Sequence, residues 1–494
     1  MGNETFDLSL FDSYKEGNRR EVKKGEGGLP RSLWETYSAF ANSYGGVIIL
    51  GVAELPDKSW KTTGLKNADR LIKEFWDLAN DPKKVNVCLL KDEDVSDYEV
   101  GGDVVIVIRV PRAPREFRPV YINDNLFGGA FKRNHEGDYH CSPLQVKSML
   151  RDQGESSADM KVAAQFGVEA LSPDTLSRYR NNFRSLKPAH PWANLPDEDF
   201  LLKIGAAALG DDGKLHPTGA GLLMFGNEYQ IVREYPEYFL DYREVMSLNA
   251  RWTDRLESQS GDWSGNIYDF FYRVFNKIAQ NLKVPFRMEG IHRVDDTTVH
   301  QAIREALVNC FTNADFFVPR GIVIKMEGGA LILENPGDIR VGKIQLMKGG
   351  QSDPRNKGIM KMFALLEIGE RAGSGMGKIL KTWSEEGYQE PTVEERFDKV
   401  ERTIVRLPLN SDEAQNGANE AQNEAQNEAQ NEAQKTLEDR IVELIRGNDK
   451  ITKTEMAEKL GVSKSTIERT IRSSASIGHI GSSKGGRWVV KGNK

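Results

Sequence analysis

Three cysteines in 494 residues, Cys88, Cys141 and Cys310, are too few and too far apart for a disulfide framework or a Cys-rich zinc module. No apolar run approaches the roughly 18 residues that a membrane-spanning helix needs. The amino terminus, MGNETFDLSLFDSYKEGNRR, lacks the basic start and apolar stretch of a secretory signal. These absences predict a soluble, cytoplasmic protein that does not engage a membrane. A marked excess of one charge sign is also missing. Lys and Arg number 67 against 73 Asp and Glu, a net charge of −6, which excludes a surface built to coat a polyanion. What remains is ordinary core material, with 39% hydrophobic residues and 46 glycines, enough for most of the chain to fold. At about 100 to 200 residues per domain, the length predicts about three domains.

The charge is uneven. From Lys435 onward there are 13 Lys and Arg against 7 Asp and Glu, so a small basic end follows an acidic body. Such an asymmetry points to nucleic acid at that end. The boundary is marked by residues 413 to 435, which hold four copies of NEAQ from Asn419 to Gln434 and no apolar side chain larger than alanine. A segment of this kind buries too little to offset its ordering entropy and reads as a tether. Beyond it, Ile441, Leu444 and Ile445 give one helical face, Met456, Ala457 and Leu460 a second, and Ile467 and Ile471 a third. Gly461 supplies the turn and Ser463 the N-cap of the third helix. HIGSSKGGRWVV then reads as a hairpin. The pattern resembles a winged helix-turn-helix, with Lys464, Ser465, Thr466, Arg469 and Arg472 on the recognition helix and Lys484 and Arg487 on the wing. A small helical protein-interaction module is the alternative.

At the other end, RSLWETYSAFAN places Leu33, Trp34, Tyr37, Phe40 and Ala41 at helical spacing before Gly45 and Gly46, and VIILGV follows as a buried strand. DVVIVIRV (Asp103 to Val110) is a second apolar strand, and the stretch YINDNLFGGAFKRNHEGDYH interleaves basic and aromatic residues in hairpins. On composition alone, YKEGNRREVKKGEG is a solvated charged strand or loop. The run E-V-K at Glu21 to Lys23, followed by S-A-F-A-N-S-Y-G-G-V-I-I-L-G-V from Ser38 to Val52, resembles the Schlafen-type AlbA domain. That resemblance implies nucleic-acid binding and, in nuclease members, a three-carboxylate divalent-metal site that cuts RNA. The matching positions are Glu16, Glu21 and Glu54, with Lys23 to neutralise a phosphate, although Ala53 stands where the family often has an acid. Clustered carboxylates holding Mg²⁺ or Mn²⁺ suit such chemistry, because charge builds on the phosphate oxygens. Arg112, Arg115, Lys132, Arg133 and His135 are candidate phosphate contacts, or else isolated surface charges.

Residues 155 to 200 are polar and Pro-punctuated and read as a helical connector. After it, VHQAIREALVNCFTNADFF puts Val299, Ile303, Leu307 and Cys310 on a buried stripe and Glu305, Asn309 and Asn313 on another face. Strands GIVIKME and ALILENPGD and the Gly-rich GERAGSGMGKIL follow. An Asn and a Glu on one helix, opposite a glycine loop at a helix start, suit a Mg²⁺-nucleotide. The glycines alone would also suit a tight loop. R-E-A-L-V-N, E-N-P-G, P-R-N and E-R-A-G-S-G-M-G together resemble the ATP-binding domain that accompanies AlbA modules in bacterial Schlafen-like regulators, a divergent relative of the GHKL ATPases. The resemblance implies that Glu305 orients water, Asn309 ligates Mg²⁺, Asn335 and Gly337 lie by the adenine, and Gly373, Gly375 and Gly377 line the phosphates. Asn313 and Ala314 replace a usual His-Arg, and Asn335 stands where GHKL enzymes place an Asp.

The expected architecture is multidomain α+β. An AlbA/Schlafen-like α+β domain spans 1–153 and a helical connector 154–199. A GHKL-like α/β sandwich domain spans 200–410, the NEAQ linker 411–435 and a C-terminal winged helix 436–494. The expected function is a nucleotide-responsive nucleic-acid-binding protein, a metal-dependent RNase or nuclease in stress or antiviral (anti-phage) defence, with weak ATPase activity open. The alternative is an ATP-binding transcriptional regulator that binds DNA without cutting. In a third reading the central module is a dimerisation platform, and a homo-oligomer is expected.

Overall fold

In the computed structural model, Arg20–Lys23 (β1) and Gly46–Leu50 (β2) run parallel on either side of helix α1 (Leu33–Ala41). The turn from helix to strand needs glycine. Gly45 has φ +69°, and a Cβ there would lie 2.9 Å from the backbone nitrogen of Arg112. The described residues are 17–245, 252–282, 288–289, 292–293, 296–369, 375–397, 400–409, 436–481 and 486–490. Glu16, Gly373, Lys484 and the NEAQ tether lie outside them. The chain divides into two units, Met1–Asn410 and Ser411–Lys494.

The first module continues with the hairpin β3 (Val52–Glu54) and β4 (Trp60–Thr62), helix α2 (Ala68–Ala79), and strands β5 (Val95–Val100) and β6 (Asp103–Val110). A second hairpin, β7 (Phe131–Asn134) with β8 (Gly137–His140), leads to helix α3 (Pro143–Gln153). The main sheet has the order β1-β2-β6-β5, antiparallel except for the β1–β2 pair. Its strands alternate in burial partner, as a period of two requires. Ile48, Leu50, Ile106 and Ile108 pack with residues of α1 and α2, while Val22, Val47, Ile49, Val105 and Val107 pack with Val52 and Trp60 of the small hairpin.

The rest of the first unit begins with α4 (Pro173–Leu186), α5 (Asp197–Ile204), β9 (Ala207–Leu209), β10 (Leu215–Pro217), α6 (Gly219–Phe225) and α7 (Glu228–Glu234). It continues through β11 (Leu240–Val245), β12 (Asp254–Glu257), α8 (Ile267–Asn281), β13 (Met288–Glu289), β14 (His292–Arg293) and α9 (Thr298–Asn313). After β15 (Ile322–Glu327) and β16 (Ala330–Pro336) come α10 (Lys343–Lys348), α11 (Lys357–Leu365), α12 (Gly375–Glu385), β17 (Thr392–Arg396) and β18 (Arg402–Pro408). Six strands form one sheet in the order β12-β11-β15-β16-β18-β17. Ile322, Ile324, Leu331, Leu333 and Leu407 are buried with the apolar stripes of α8 and α9, giving a helix layer on a sheet layer. The stripe predicted on α9 is buried as its spacing requires: Val299, Ile303 and Leu307 are fully covered. The segment expected as a connector contributes Phe166, Leu176, Tyr179 and Phe183 to this same core. Leu176, Tyr179 and Phe183 are the buried apolar residues of α4, and most of the segment is polar, which is why composition suggested a linker.

The second unit has three helices, Leu437–Gly447, Lys453–Leu460 and Lys464–Ser473, and an antiparallel pair, Ile477–Ile480 with Arg487–Val490. Ile441, Ile445, Met456, Ile467 and Trp488 form its core. Gly461, at φ +66°, ends the second helix in the left-handed conformation, and the Ser463 hydroxyl caps the third by accepting from the Thr466 amide. The chain is thus multidomain and mixed α/β. Among the described residues, no helix is long and apolar enough to cross a membrane.

Candidate nucleotide pocket and its joint with the first module

One turn of α9 separates Glu305 from Asn309, so both line the same cavity. The Asn309 amide nitrogen donates to Glu305 Oε1 at 3.2 Å, which leaves the Asn309 amide oxygen outside that bond. Gly375 opens α12 against this pair. A Cβ there would fall 2.3 Å from Glu305 Oε1, so the bare residue is what lets the helix start approach. Asn335, only 3% exposed at the end of β16, lines the same cavity. The cavity's volume is ≈ 90 Å³. Residues 370–374, which precede α12, lie outside the described residues. The other two expected glycines stand apart. Gly377 has no neighbour within 4 Å of a built Cβ, and Gly337 faces the Arg355 guanidinium, whose Nη1 would sit 2.6 Å from such a Cβ. Gly337 therefore makes way for Arg355 instead of lining the cavity.

Arg355 passes Gly337 to reach Asp338, and there the central module meets the first. Asp338, 5% exposed, accepts from Arg355 at 3.0 Å, from Arg112 at 2.9 Å and from Arg118. Arg112 also grips Glu395 through both oxygens, at 2.9 and 3.1 Å. Lys132 pairs with Glu401, Arg115 with Asp353 at 2.6 Å, and Arg355 reaches back to Asp152 at 2.8 Å. Ser148 and Arg151 of α3 donate to Asp315 at 2.6 and 2.7 Å. Burial alone would raise Asp338, but the Arg118, Arg112 and Arg355 charges outweigh it and hold the carboxyl well below the usual range. Asp315 is depressed in the same way, burial being overcome by Arg355 and Arg151. For Lys132 burial wins despite the Glu401 pair and pushes the ammonium down to about 8. Burial, then the Glu395 charge, pushes the Tyr44 phenol up to about 12.

Four of the cations expected at phosphates are held by carboxylates in this structure. Arg112, Arg115 and Lys132 bind carboxylates of the central module. Arg133, 1% exposed, binds Glu21 at 2.7 Å and Asp138 at 2.9 Å inside the first module. His135 sits at the tip of the β7–β8 hairpin with φ +51°. Glu21 is held on both oxygens, by Arg133 and by Lys23 at 2.9 Å. Glu54 pairs with Lys58 at 3.3 Å, while its Oε1 is buried without a hydrogen-bond partner. Among the described residues, no group of three or more His, Cys, Asp or Glu is arranged to hold a metal. The structure thus does not bring Glu21 and Glu54 into a metal cluster with any described acid. Sequence reasoning missed Arg118, Asp138, Asp315, Asp338 and Arg355. Asp338 follows the E-N-P-G motif and Arg355 is the arginine of P-R-N, but nothing in the motifs signals a partner more than 200 positions away. In the second unit, Lys464, Arg469, Arg472 and Arg487 are all exposed, and none has an ion-pair partner among the described residues.

Known proteins match parts of this arrangement. Residues 13–142 match the family described as "Schlafen, AlbA_2", and residues 320–404 match "Putative ATP-dependent DNA helicase recG C-terminal". The chain therefore carries a Schlafen AlbA_2-type domain followed by a RecG-like, ATPase-type domain. Residues 147–241 match a domain of unknown function, which runs across the 199/200 boundary read from composition. Among solved structures, the DIP2311 protein from Corynebacterium diphtheriae is 17% identical with a TM-score of 0.40, covering 96% of this chain and 91% of its own. The N-terminal domain of a RecG-related protein from Nitrosomonas europaea is 26% identical with a TM-score of 0.21, covering 27% of this chain and 90% of its own. No curated protein matches the sequence.

Proposed function

We propose that this chain is a nucleotide-responsive nucleic-acid-binding protein, with adenine nucleotide and Mg²⁺ in the central module and DNA on a C-terminal winged helix-turn-helix. The observation that carries the reading is the meeting of Glu305, Asn309, Asn335 and Gly375 around one cavity. An amide oxygen and a carboxylate one turn apart are the oxygen donors that Mg²⁺ prefers, so this donor set fits the metal. Mg²⁺ there would neutralise phosphate charge. Asn309 would hold it, Glu305 would orient water, and Gly375 would let the helix start come close to the phosphates. Calorimetry with ATP and ADP in Mg²⁺ tests this. Binding should appear in the wild type, vanish in Asn309→Ala and survive in Glu305→Ala, and no heat with any adenine nucleotide would end the reading.

A second reading, metal-dependent RNA cleavage by the first module, is favoured by the buried, unpartnered Oε1 of Glu54. An orphan carboxylate oxygen suits a cation. Glu21, clamped by Arg133 and Lys23, does not fit that metal site in this arrangement, so no catalytic step is assigned to it. RNA incubated with Mn²⁺, and then with EDTA, decides between the two. Metal-dependent cleavage lost in Glu54→Gln would establish the second reading, whereas binding without cleavage leaves the first.

A further inference from the structure

The sheet end of the first module and the segment 340–353 of the central module enclose an open cleft of ≈ 880 Å³. Ligand sites span about 300–1,000 Å³. On one wall stand Arg19, Val47 and Arg109; strand register sets Val47 beside Arg109 across β2 and β6, and Arg19 directly precedes β1. Lys343, at the start of α10, stands on the other wall. Three of the cleft's cations are neutralised: Arg112 and Arg115 in the joint described above, and Arg340, whose Nε lies 3.5 Å from Asp353 and 3.8 Å from Asp152. The other three, Arg19, Arg109 and Lys343, have no carboxylate partner among the described residues. The Arg19 guanidinium lies 5.9 Å from the centre of the Tyr44 ring, and Arg109 donates to the Tyr98 hydroxyl at 2.8 Å and to a backbone carbonyl. Asp94 and Glu116 share the lining. Asp94 already accepts the Lys91 amide, and Glu116 sits in the turn that carries Phe117, which is 47% exposed.

We infer that this cleft is the path of a single-stranded nucleic acid, with Arg19, Arg109 and Lys343 meeting phosphates and Phe117 offering a stacking face. The inference rests on the nucleic-acid reading above and gives the phosphate contacts to Arg19, Arg109 and Lys343, while the candidates Arg112 and Arg115 line the same cleft with their charges already paired. Unpaired cations on both walls suit a polyanion that threads between them. Arg19 and Arg109 flank β2 on neighbouring strands, so their backbones stand about 10 Å apart, two strand spacings. An exposed aromatic beside a basic groove is the combination that holds single strands irrespective of sequence. A duplex needs no such stacking face, since its bases are already paired.

The test uses the full chain, a short labelled single-stranded oligonucleotide and a duplex of the same sequence. In the double variant Arg19→Glu, Lys343→Glu, single-strand affinity should fall by at least about tenfold. Its logarithmic salt dependence should flatten by about two contacts. The thermal transition and duplex affinity should stay unchanged, because neither residue is in an ion pair among the described residues. Phe117→Ala should independently weaken the single strand by about tenfold. Unchanged single-strand affinity in both variants overturns the cleft, as does a wild type that binds only duplex. A wild type that binds neither nucleic acid overturns the functional reading itself, so the two failures are distinguishable.

Discussion

Arg118, Lys132 and Arg133 have side chains 4% exposed or less, and each contacts a carboxylate. Lys464, Arg469, Arg472 and Arg487, in the second unit, are exposed and without an ion-pair partner among the described residues. In sequence the two groups look alike, as basic residues interleaved with aromatics or set on helices. In the fold, the first group fastens one module to another or one strand to a hairpin, and the second is open to a polyanion. The difference lies in where the acids are. A cation whose counter-charge comes from a distant strand is part of the architecture, while one with no acid in reach keeps its charge for a partner.

The largest test of this contrast is Asp338→Asn. It leaves Arg112, Arg118 and Arg355 buried around a neutral amide and should lower the stability of the first unit by about 3–5 kcal/mol. Denaturant unfolding of the full chain measures it, and a loss below about 1 kcal/mol would mean that the buried charges are not what holds the joint. Next in size is the pair Lys464→Ala, Arg469→Ala. Duplex DNA affinity should fall about tenfold and its salt slope by about two, with stability unchanged within about 0.5 kcal/mol. A stability loss like that of the Asp338 variant would erase the distinction between the two groups.

A further effect is in the pH dependence. Lys132 titrates at about 8 when folded and near 10.4 when unfolded, so across that window the unfolded chain holds a proton that the folded chain lacks. Stability of the first unit should therefore rise with pH through that window. The rise ends near pH 10, where buried tyrosines such as Tyr44, raised in the folded state, begin to destabilise the fold on ionising. Lys132→Met should flatten the rise, and an unaltered profile would assign it to other groups. At the acid end the sign is opposite. Asp338 and Asp315 are depressed, so their contribution is present above the unfolded value near 4 and is lost as pH falls below it.

Much of the fold was legible because it is local. The helix, glycine turn and buried strand of S-A-F-A-N-S-Y-G-G-V-I-I-L, the stripe of α9 and the Ser463 cap each follow from residues a few positions apart. The pairing of Glu305 with Asn309 was legible for the same reason, since four residues make one turn. The use of Arg112 was not, because Glu395 lies 283 positions away and no periodicity connects them. The placement of Gly337 against Arg355 escaped on similar grounds: a glycine announces a close approach without saying what approaches. Residues 155 to 200 misled in another way, since the large apolar side chains that they give to the core, among them Tyr179 and Phe183, are thinly spread through a polar segment.

Arg340, Ser352 and Asp353 line both the small cavity beside Asn309 and the large cleft beside Arg19. If the proposed nucleotide and strand occupy these two spaces, they share one partition, and thermodynamic reciprocity governs them. Whatever factor a nucleotide applies to the affinity for a strand, the strand must apply to the affinity for the nucleotide. Titrating each ligand in the presence and absence of the other should return the same ratio twice. A ratio of one in both titrations would show that the shared wall carries no coupling between the two ligands.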